Sequence, residues 1–392
     1  MKHDHNGRAW RFMKSRTIPL VIWIVAILSL LLSACNLDLV GSAGAANEPT
    51  ATLAPDLAPT DPPLPTDEPA TPTQTSLPPP SGRILFLSDR DGSKNLYVLD
   101  ASNGNVTRLT SAASTDEQPR WSPDGARIAF TSTLDNNTDI YLVNADGSGL
   151  FRLTDDAAKD SSPTWSPDGQ QIAFESYRDG NFELYVVNVD GSGLTRLTDN
   201  PGGDLNPQWS PVDRQTIAFV SSNQSGNSNI FLIHPDGSGL QQLTNGSTPS
   251  SDPVWSPDGT QIAYRTSSAN DQKQICVVGA DGSNAHCLTP TGAYGIPVWS
   301  RDGSRLAAVA THNMDGQDMA GIDFIPVSGG NTLSLQLKVE PRSEPSWSPD
   351  GNYVVFQANQ DGNMDLFLLA VSTRELTPLT HAPGFDGGPI WR

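Results

Sequence analysis

The stretch WSPDGQQIAF, residues 165–174, decides the fold because close variants of it recur along the chain. The variants are WSPDGARIAF from residue 121, WSPDGTQIAY from 255, WSRDGSRLAA from 299 and WSPDGNYVVF from 347. A Pro stands two residues before each of these tryptophans, and two more Pro-x-Trp triplets give seven, spaced 44 to 48 residues apart. This period is typical of a four-stranded propeller blade, although helical repeats of similar length exist.

The content of one repeat favours strands. Ser-Pro-Asp-Gly has the residue preferences of a type I turn, with Pro at its second position and Gly at its fourth. Short β-type runs follow at residues 172–174, 182–188 and 194–198, separated by glycine-containing turns. We name the four strands A to D: A carries Pro-x-Trp, B and C carry the apolar runs, and D ends in Leu-Thr. Each repeat is therefore predicted to be an antiparallel meander.

The two ends of the repeat region complement each other. It opens with RILFLSDRDGSKNLYVLD, which supplies strands B and C with no strand A before them, and it closes with GPIWR, a strand A alone. Pairing these ends would remove an open sheet edge. The sequence therefore predicts an all-β, seven-bladed β-propeller over residues 83–392, with the first blade closed by the C-terminal strand. The tryptophans are expected to fill the layers between blades.

With these motifs in view, residues 83–392 resemble the TolB-type β-propeller family. The resemblance implies a β-propeller fold. Two features depart from the cell-envelope protein TolB, which has six blades and a separate N-terminal domain that this sequence lacks. We therefore carry over neither TolB's partners nor its binding residues.

The first 34 residues are typical of a secretory signal. Five Lys or Arg residues precede an apolar run at residues 18–32, which is short for a membrane span, and LSAC ends at Cys35. This segment resembles a bacterial lipoprotein signal, which implies lipidation of Cys35. The alternative is an uncleaved anchor with an incidental cysteine. Residues 35–82 are rich in Pro and Thr, and we interpret them as a disordered stalk.

The charge narrows the choice of partners. The net charge is −19, and residues 1–34 are themselves basic, so the rest of the chain repels phosphate backbones. We expect no nucleic-acid partner, membrane contact through the lipid anchor only, and a monomer on the outer face of the cell membrane or in the periplasm.

Strand order places the A–B and C–D loops on one face and the B–C and D–A loops on the other. The second face varies in sequence, so it is the better place for a site. Four D–A loops carry Asp three residues before the Pro, and these residues are candidates for an acidic ring at the channel mouth: Asp116, Asp160, Asp204 and Asp386. Such a ring would attract a cation or a basic peptide. The alternative is that each Asp only braces its loop.

Two further sets of residues are candidates. The longest B–C loop, residues 311–320 of blade 6, contains His312, Asp315 and Asp318, and could bind a ligand or a metal ion, although an isolated His in a loop is weak evidence. Cys276 and Cys287 flank a predicted hairpin turn symmetrically. They would form a disulfide if they face each other in a non-hydrogen-bonded pair, or remain two free thiols if the register differs.

Signatures of catalysis are absent from the sequence. It has no G-x-S-x-G, no H-E-x-x-H and no histidines at the spacing of a metal pair. We therefore expect a non-enzymatic scaffold without a cofactor, apart from a cation at the channel mouth, that binds an envelope or extracellular protein, peptide or glycan. The alternative is an extracytoplasmic enzyme acting on polysaccharide or peptide from the variable face.

Overall fold

The computed structural model describes residues 77–392 except residues 112–113, 224–225, 269, 271 and 315. The signal segment, Cys35 and nearly all of the predicted stalk lie outside these residues. The described chain is all β, and none of it forms a helix long and apolar enough to cross a membrane.

Seven antiparallel sheets follow each other in chain order, as predicted, and each is one blade. Strand A of blades 1 to 5 is Asp386–Trp391, Thr115–Trp121, Asp160–Trp165, Asp204–Trp209 and Ser250–Trp255. In blades 6 and 7 it is divided into Ala293–Tyr294 with Val298–Trp299 and Glu340–Pro341 with Ser346–Trp347. Strand B of blades 1 to 7 is Arg83–Ser88, Arg127–Leu134, Gln171–Ser176, Ile217–Ser222, Gln261–Ser267, Arg305–Met314 and Tyr353–Gln360.

The outer strands are C and D, and D is short. Strand C of blades 1 to 7 is Asn95–Asp100, Asn137–Asn144, Glu183–Asn188, Ser228–Ile233, Lys273–Gly279, Gln317–Pro326 and Asn363–Ala370. Strand D is Val106–Arg108, Phe151–Arg152, Thr195–Arg196, Gln241–Gln242, His286–Cys287, Leu333–Gln336 and Leu376–Pro378. A D strand of two to four residues leaves little unpaired backbone at the rim of each blade.

The repeated Ser-Pro-Asp-Gly segment closes the hairpin between strands A and B. In blade 2 the Gly125 amide donates to the Ser122 carbonyl at 2.9 Å, and the Ser122 hydroxyl donates to Asp124 Oδ1 at 2.6 Å. Gly125 has a φ of 71°, which explains the glycine at this position. The repeated Leu-Thr has a matching role, because the Thr110 hydroxyl accepts the amide of Leu96 on strand C at 2.9 Å.

Neighbouring blades share apolar cores. Seven clusters of buried side chains each combine two adjacent blades; one contains Leu142 of blade 2 with Trp165 and Phe174 of blade 3. The Trp165 indole also donates to the carbonyl of Arg120 on the preceding blade at 3.1 Å. The tryptophans are thus core residues that join one blade to the next, as the repeat predicts.

The C-terminal strand completes blade 1. Ile84 pairs with Trp391 and Leu85 with Ile390, and two backbone hydrogen bonds of 2.7 and 2.9 Å link Arg83 and Arg392. The Trp391 indole donates to the carbonyl of Ser81 at 2.9 Å. The predicted seven-bladed propeller and its closure are confirmed.

Candidate functional site: the central channel

The inner strands surround a central cavity of about 530 Å³. It is lined by the Pro and the following residue of most Pro-x-Trp triplets, and by the residue that precedes the Pro. We call that preceding residue the bulge residue. From blade 1 to blade 7 the bulge residues are Gly388, Gln118, Ser162, Asn206, Asp252, Ile296 and Glu344. All but Ser162 line the cavity.

A β-bulge turns these residues toward the cavity. In blade 2, Glu117 pairs with Thr131 and Arg120 with Ala129, so two residues of strand A face one of strand B. The bulge residues of blades 1 to 5 have positive φ between 50° and 60°. In blades 6 and 7 the same position lies between the two segments of strand A. The bulge therefore brings seven equivalent positions to one ring.

Charges in the cavity come from three blades. The Asp252 carboxylate is paired with the Arg265 guanidinium at 2.6 Å. Arg120 donates through Nη1 to the carbonyl of Pro119 at 3.0 Å and has no carboxylate within 4 Å among the described residues. The surrounding protein desolvates Arg120 and lowers the pKa of its guanidinium, while the charge of Glu344 acts in the opposite direction.

Polar side chains connect the ring between blades. Gln118 Oε1 accepts the amide of Ser162 at 2.9 Å, and Glu175 Oε2 accepts the amide of Asn206 at 2.8 Å. Each bond crosses from one blade to the next, so a side chain of the preceding blade holds the ring backbone at Ser162 and at Asn206. Gln118 and Asn206, which line the cavity, both take part in these contacts.

The four aspartates that suggested an acidic ring lie inside the blades instead. Each is at most 1% exposed and none lines the cavity. Asp160 accepts two bonds of 3.0 and 3.1 Å from Arg178 Nη2, and Asp386 accepts one of 2.7 Å from Arg90 Nη2. These carboxylates are therefore not open to a ligand in the channel, because they are buried and arginines of the B–C loops already pair with two of them.

The other two aspartates have neutral partners. Asp116 accepts hydrogen bonds from the hydroxyls of Thr110, Ser114 and Ser132, and Asp204 accepts one from the amide of Asn200 at 2.6 Å. Burial raises the pKa of both carboxyl groups above the ordinary value, because no cation offsets their desolvation. All four carboxylates thus accept hydrogen bonds from side chains: two from arginines, and two from hydroxyl or amide groups.

The candidate loop of blade 6 is largely an extended hairpin. Strands B and C run ten residues each, and His312 pairs with Met319 across them. His312 Nε2 lies 2.9 Å from Oδ1 of Asp323, a carboxylate that is 2% exposed, and Asp318 accepts from the Asn313 amide at 2.8 Å. Asp315 lies outside the described residues. No group of three potential metal-binding side chains occurs in the part of the chain that the structure describes.

Cys276 and Cys287 face each other on strands C and D of blade 5, where the structure joins their sulfur atoms. The neighbouring Leu288 amide donates to the Ile275 carbonyl at 2.8 Å, which places the cysteines in a non-hydrogen-bonded pair. Cys276 is fully buried, and the pair lies on the outer half of its blade, so it is not part of the channel.

Sequence reasoning missed the bulge residues. A signal was present: in five blades the residue before the Pro is Gln, Ser, Asn, Asp or Gly, a set that includes the types most tolerant of positive φ. Arg120 was also missed, because the middle residue of Pro-x-Trp has no constant character.

The comparisons with known proteins agree with this architecture. The family model described as the TolB beta propeller domain matches residues 111–224 and 199–340, more than half of the chain. The protein belongs to this family. A curated relative, the Tol-Pal system protein TolB of Legionella pneumophila, is 26% identical over 84 residues, which is 21% of this chain and 20% of that protein. The chain thus matches about a fifth of the length of this relative.

Two solved structures show the same fold. The crystal structure of TolB from Acinetobacter baumannii aligns over 80% of this chain and 67% of its own, with a TM-score of 0.54 and 19% identity. An oligogalacturonate lyase in complex with manganese aligns over 73% of this chain and 85% of its own, with a TM-score of 0.63 and 16% identity. At these identities the likeness concerns the fold alone.

Proposed function

We propose that this protein is a surface-tethered, non-enzymatic scaffold whose propeller binds an envelope or extracellular protein, peptide or glycan at the channel mouth, on the face of the B–C and D–A loops. Of the three ligand classes we favour a protein or peptide, since the channel combines proline and aliphatic walls with the amides of Gln118, Asn206 and Gln208.

The observation that carries this proposal is the contrast between the channel and the rest of the repeat. The turns, the tryptophans and the Leu-Thr endings are nearly constant because they hold every blade in the same way. The seven bulge residues share one place in the fold, yet they include an acid, an amide, an aliphatic residue and a glycine. Residues that only support the fold would not need to differ in this way. Residues that recognise an asymmetric ligand would, because each meets a different chemical group.

The entry point of the chain supports the same face. The Tyr353 hydroxyl donates to the carbonyl of Pro78 at 2.7 Å, and Tyr353 follows the Ser-Pro-Asp-Gly turn of blade 7. Residues 77–82 therefore reach the propeller on the A–B loop face. The described chain therefore enters the propeller on the face opposite the proposed channel mouth, and the proposed location of the protein is extracytoplasmic.

The test compares two variants of a Cys35→Ser protein, each with one added cysteine coupled to a bulky polyethylene glycol, while Cys276 and Cys287 stay joined in their disulfide. Glu117→Cys lies beside the bulge residue of blade 2, and its side chain is 53% exposed in the native protein. Leu150→Cys is the matched control on the opposite face of the same blade, where Leu150 is 52% exposed. We expect the label at position 117 to abolish capture of envelope ligands and the label at 150 to leave it intact. The reverse pattern would contradict the proposal.

A second candidate is an enzyme centred on blade 6, and one observation favours it. The buried Asp323 holds the imidazole of His312, and a carboxylate in this position orients a catalytic histidine in many enzymes. This reading requires that the purified propeller turn over a peptide or polysaccharide and that His312→Gln abolish the turnover. Saturable binding without products supports the scaffold instead.

A further inference from the structure

The channel has a gap in its ring of side chains at Gly388. Four of the other bulge residues have positive φ with a side chain: Gln118 at 50°, Ser162 at 57°, Asn206 at 53° and Asp252 at 55°. Gly388 has a φ of 60°, so its backbone is one that ordinary residues adopt at this position of the fold. A Cβ atom at Gly388 would meet only Leu87 Cδ1, at 3.8 Å, which is ordinary contact. Crowding therefore does not require a glycine here, and four equivalent residues already bear the strain of a positive φ.

The blades on both sides of Gly388 carry opposite charges into the cavity. Blade 1 contacts blade 2 through the Trp121 indole, which donates to the carbonyl of Ile390, and contacts blade 7 through the Trp391 amide, which donates to Ser346 Oγ. Arg120 belongs to blade 2 and Glu344 to blade 7. We call the space over Gly388 between these two side chains the notch.

Neither Arg120 nor Glu344 forms an ion pair within the described part of the chain. Arg120 and Glu344 interact through space but are more than 4 Å apart, and neither forms an ion pair with another described residue. Both are exposed to the cavity. By contrast, the third charge in the cavity, Asp252, is neutralised by Arg265. The wall of the notch between Arg120 and Glu344 is apolar, formed by Leu87, Pro389 and Ile390.

We propose that the notch binds a zwitterionic ligand group, with a carboxylate at Arg120, an ammonium at Glu344 and an aliphatic link between them over Gly388. A guanidinium offers parallel donors to a carboxylate, and a carboxylate accepts from an ammonium, so both cavity charges gain charge-assisted hydrogen bonds. This inference rests on the proposed function and names the ligand chemistry of that channel. The two charges belong either to a free ω-amino acid or to neighbouring basic and acidic residues of a peptide.

The experiment titrates the purified Cys35→Ser protein by calorimetry and by NMR of its arginine side chains. The free-ligand probes are glycine, 4-aminobutanoate and 6-aminohexanoate, with butanoate and butylammonium as singly charged controls. The peptide probes are acetyl-Lys-Glu-amide and acetyl-Gln-Gln-amide. We expect one length of ω-amino acid or the Lys-Glu peptide to bind at least tenfold more tightly than its singly charged or neutral control, since one charge-assisted bond is worth about 1.5–3 kcal/mol.

Three variants test the geometry. Arg120→Gln should weaken binding of the zwitterion roughly tenfold or more and strengthen binding of butylammonium, because a repelling guanidinium is gone. Glu344→Gln should weaken binding of the zwitterion and strengthen binding of butanoate, because a repelling carboxylate is gone. Gly388→Gln should fill the notch and abolish binding, whereas Ser162→Gln, at the equivalent position of blade 3, should leave it unchanged. Unchanged melting temperatures establish that each variant is folded.

The outcomes separate this inference from the proposed function. Binding of the Lys-Glu peptide without the free amino acids identifies a peptide source, and the reverse identifies a small-molecule source. The proposal that the notch binds a zwitterionic group is refuted by equal affinity for zwitterionic and singly charged probes, or by tight binding of the zwitterion to Gly388→Gln. If the label at position 117 still blocks capture of envelope ligands, the scaffold function stands although the notch has failed.

Discussion

Removing the carboxylate from the pair formed by Asp160 and Arg178 should strongly destabilise blade 3. Asp160 is fully buried, and the Arg178 side chain is 16% exposed. In Asp160→Asn the guanidinium keeps its place over the Tyr185 ring, 4.6 Å from the centroid, but loses its anion. Breaking a buried ion pair costs about 3–5 kcal/mol, and the remaining exposure and ring contact reduce this to about 2–4 kcal/mol.

Asp116→Asn is the matched control. Asp116 occupies the same place in blade 2, but its partners are hydroxyls, which can rotate to donate or accept. Because burial raises the pKa of Asp116, removing its charge relieves a desolvation cost, and we expect a change within about 1 kcal/mol. The raised pKa also predicts how stability depends on pH. As the pH falls from the raised pKa of the folded state toward the ordinary value, the folded protein binds a proton before the unfolded chain does, so wild type should gain stability relative to Asp116→Asn.

Thermal unfolding, followed by tryptophan fluorescence, measures both effects. At about 2 °C per kcal/mol for a large domain, Asp160→Asn should melt about 4–8 °C below wild type and Asp116→Asn within about 2 °C of it. Adding Arg178→Gln to Asp160→Asn should recover part of the loss, since the unpaired cation is removed. Equal melting of Asp160→Asn and wild type would refute the reasoning, as would an equal loss in Asp116→Asn.

Three other outcomes are expected. Trp391→Ala should lower the free energy of unfolding by about 3–5 kcal/mol, because the indole packs in the core shared by blades 1 and 7 and donates to the Ser81 carbonyl. Unchanged denaturant midpoints would show that closure of the propeller does not depend on this side chain. Hydrogen bonds from the Ser300 hydroxyl and from Ser304 lower the pKa of Asp302 to about 2, so their contribution to stability is present above the unfolded pKa and is lost as the pH falls from about 4 toward 2. Urea midpoints of Ser300→Ala should lack that part of the acid sensitivity, and an identical pH profile would exclude it. Cys35→Ser should abolish incorporation of labelled fatty acid, and persistent labelling would argue against lipidation at this residue.

The blade count and closure could be predicted because they depend on local signals. Pro-x-Trp, Ser-Pro-Asp-Gly and Leu-Thr each specify a turn, a core residue or a hydrogen bond within one repeat, and the repeat multiplies the signal. Because the first repeat lacks strand A and the last is a strand A alone, pairing these two strands is the one arrangement that leaves no open sheet edge between them. All of this can be read from spacing and residue type.

The site could not be predicted because one inserted residue per strand changes which side chains face the channel. In a regular strand Asp116, Gln118 and Arg120 would share a face. The bulge, where Gln118 and Pro119 together oppose one residue of strand B, breaks that alternation. Asp116 therefore points into its blade and is buried, while Gln118 and Arg120 line the cavity. The pairing of Arg178 with Asp160 and of Arg90 with Asp386 likewise depends on tertiary packing.

Site-specific photo-crosslinking in intact cells tests the central claim most directly. A photo-crosslinking amino acid at position 118 lies at the channel, and the same residue at position 150 lies on the opposite face of that blade. The account predicts a covalent adduct of defined mass from position 118 and none from position 150. Adducts from position 150 alone would contradict it and would place the binding surface on the constant face.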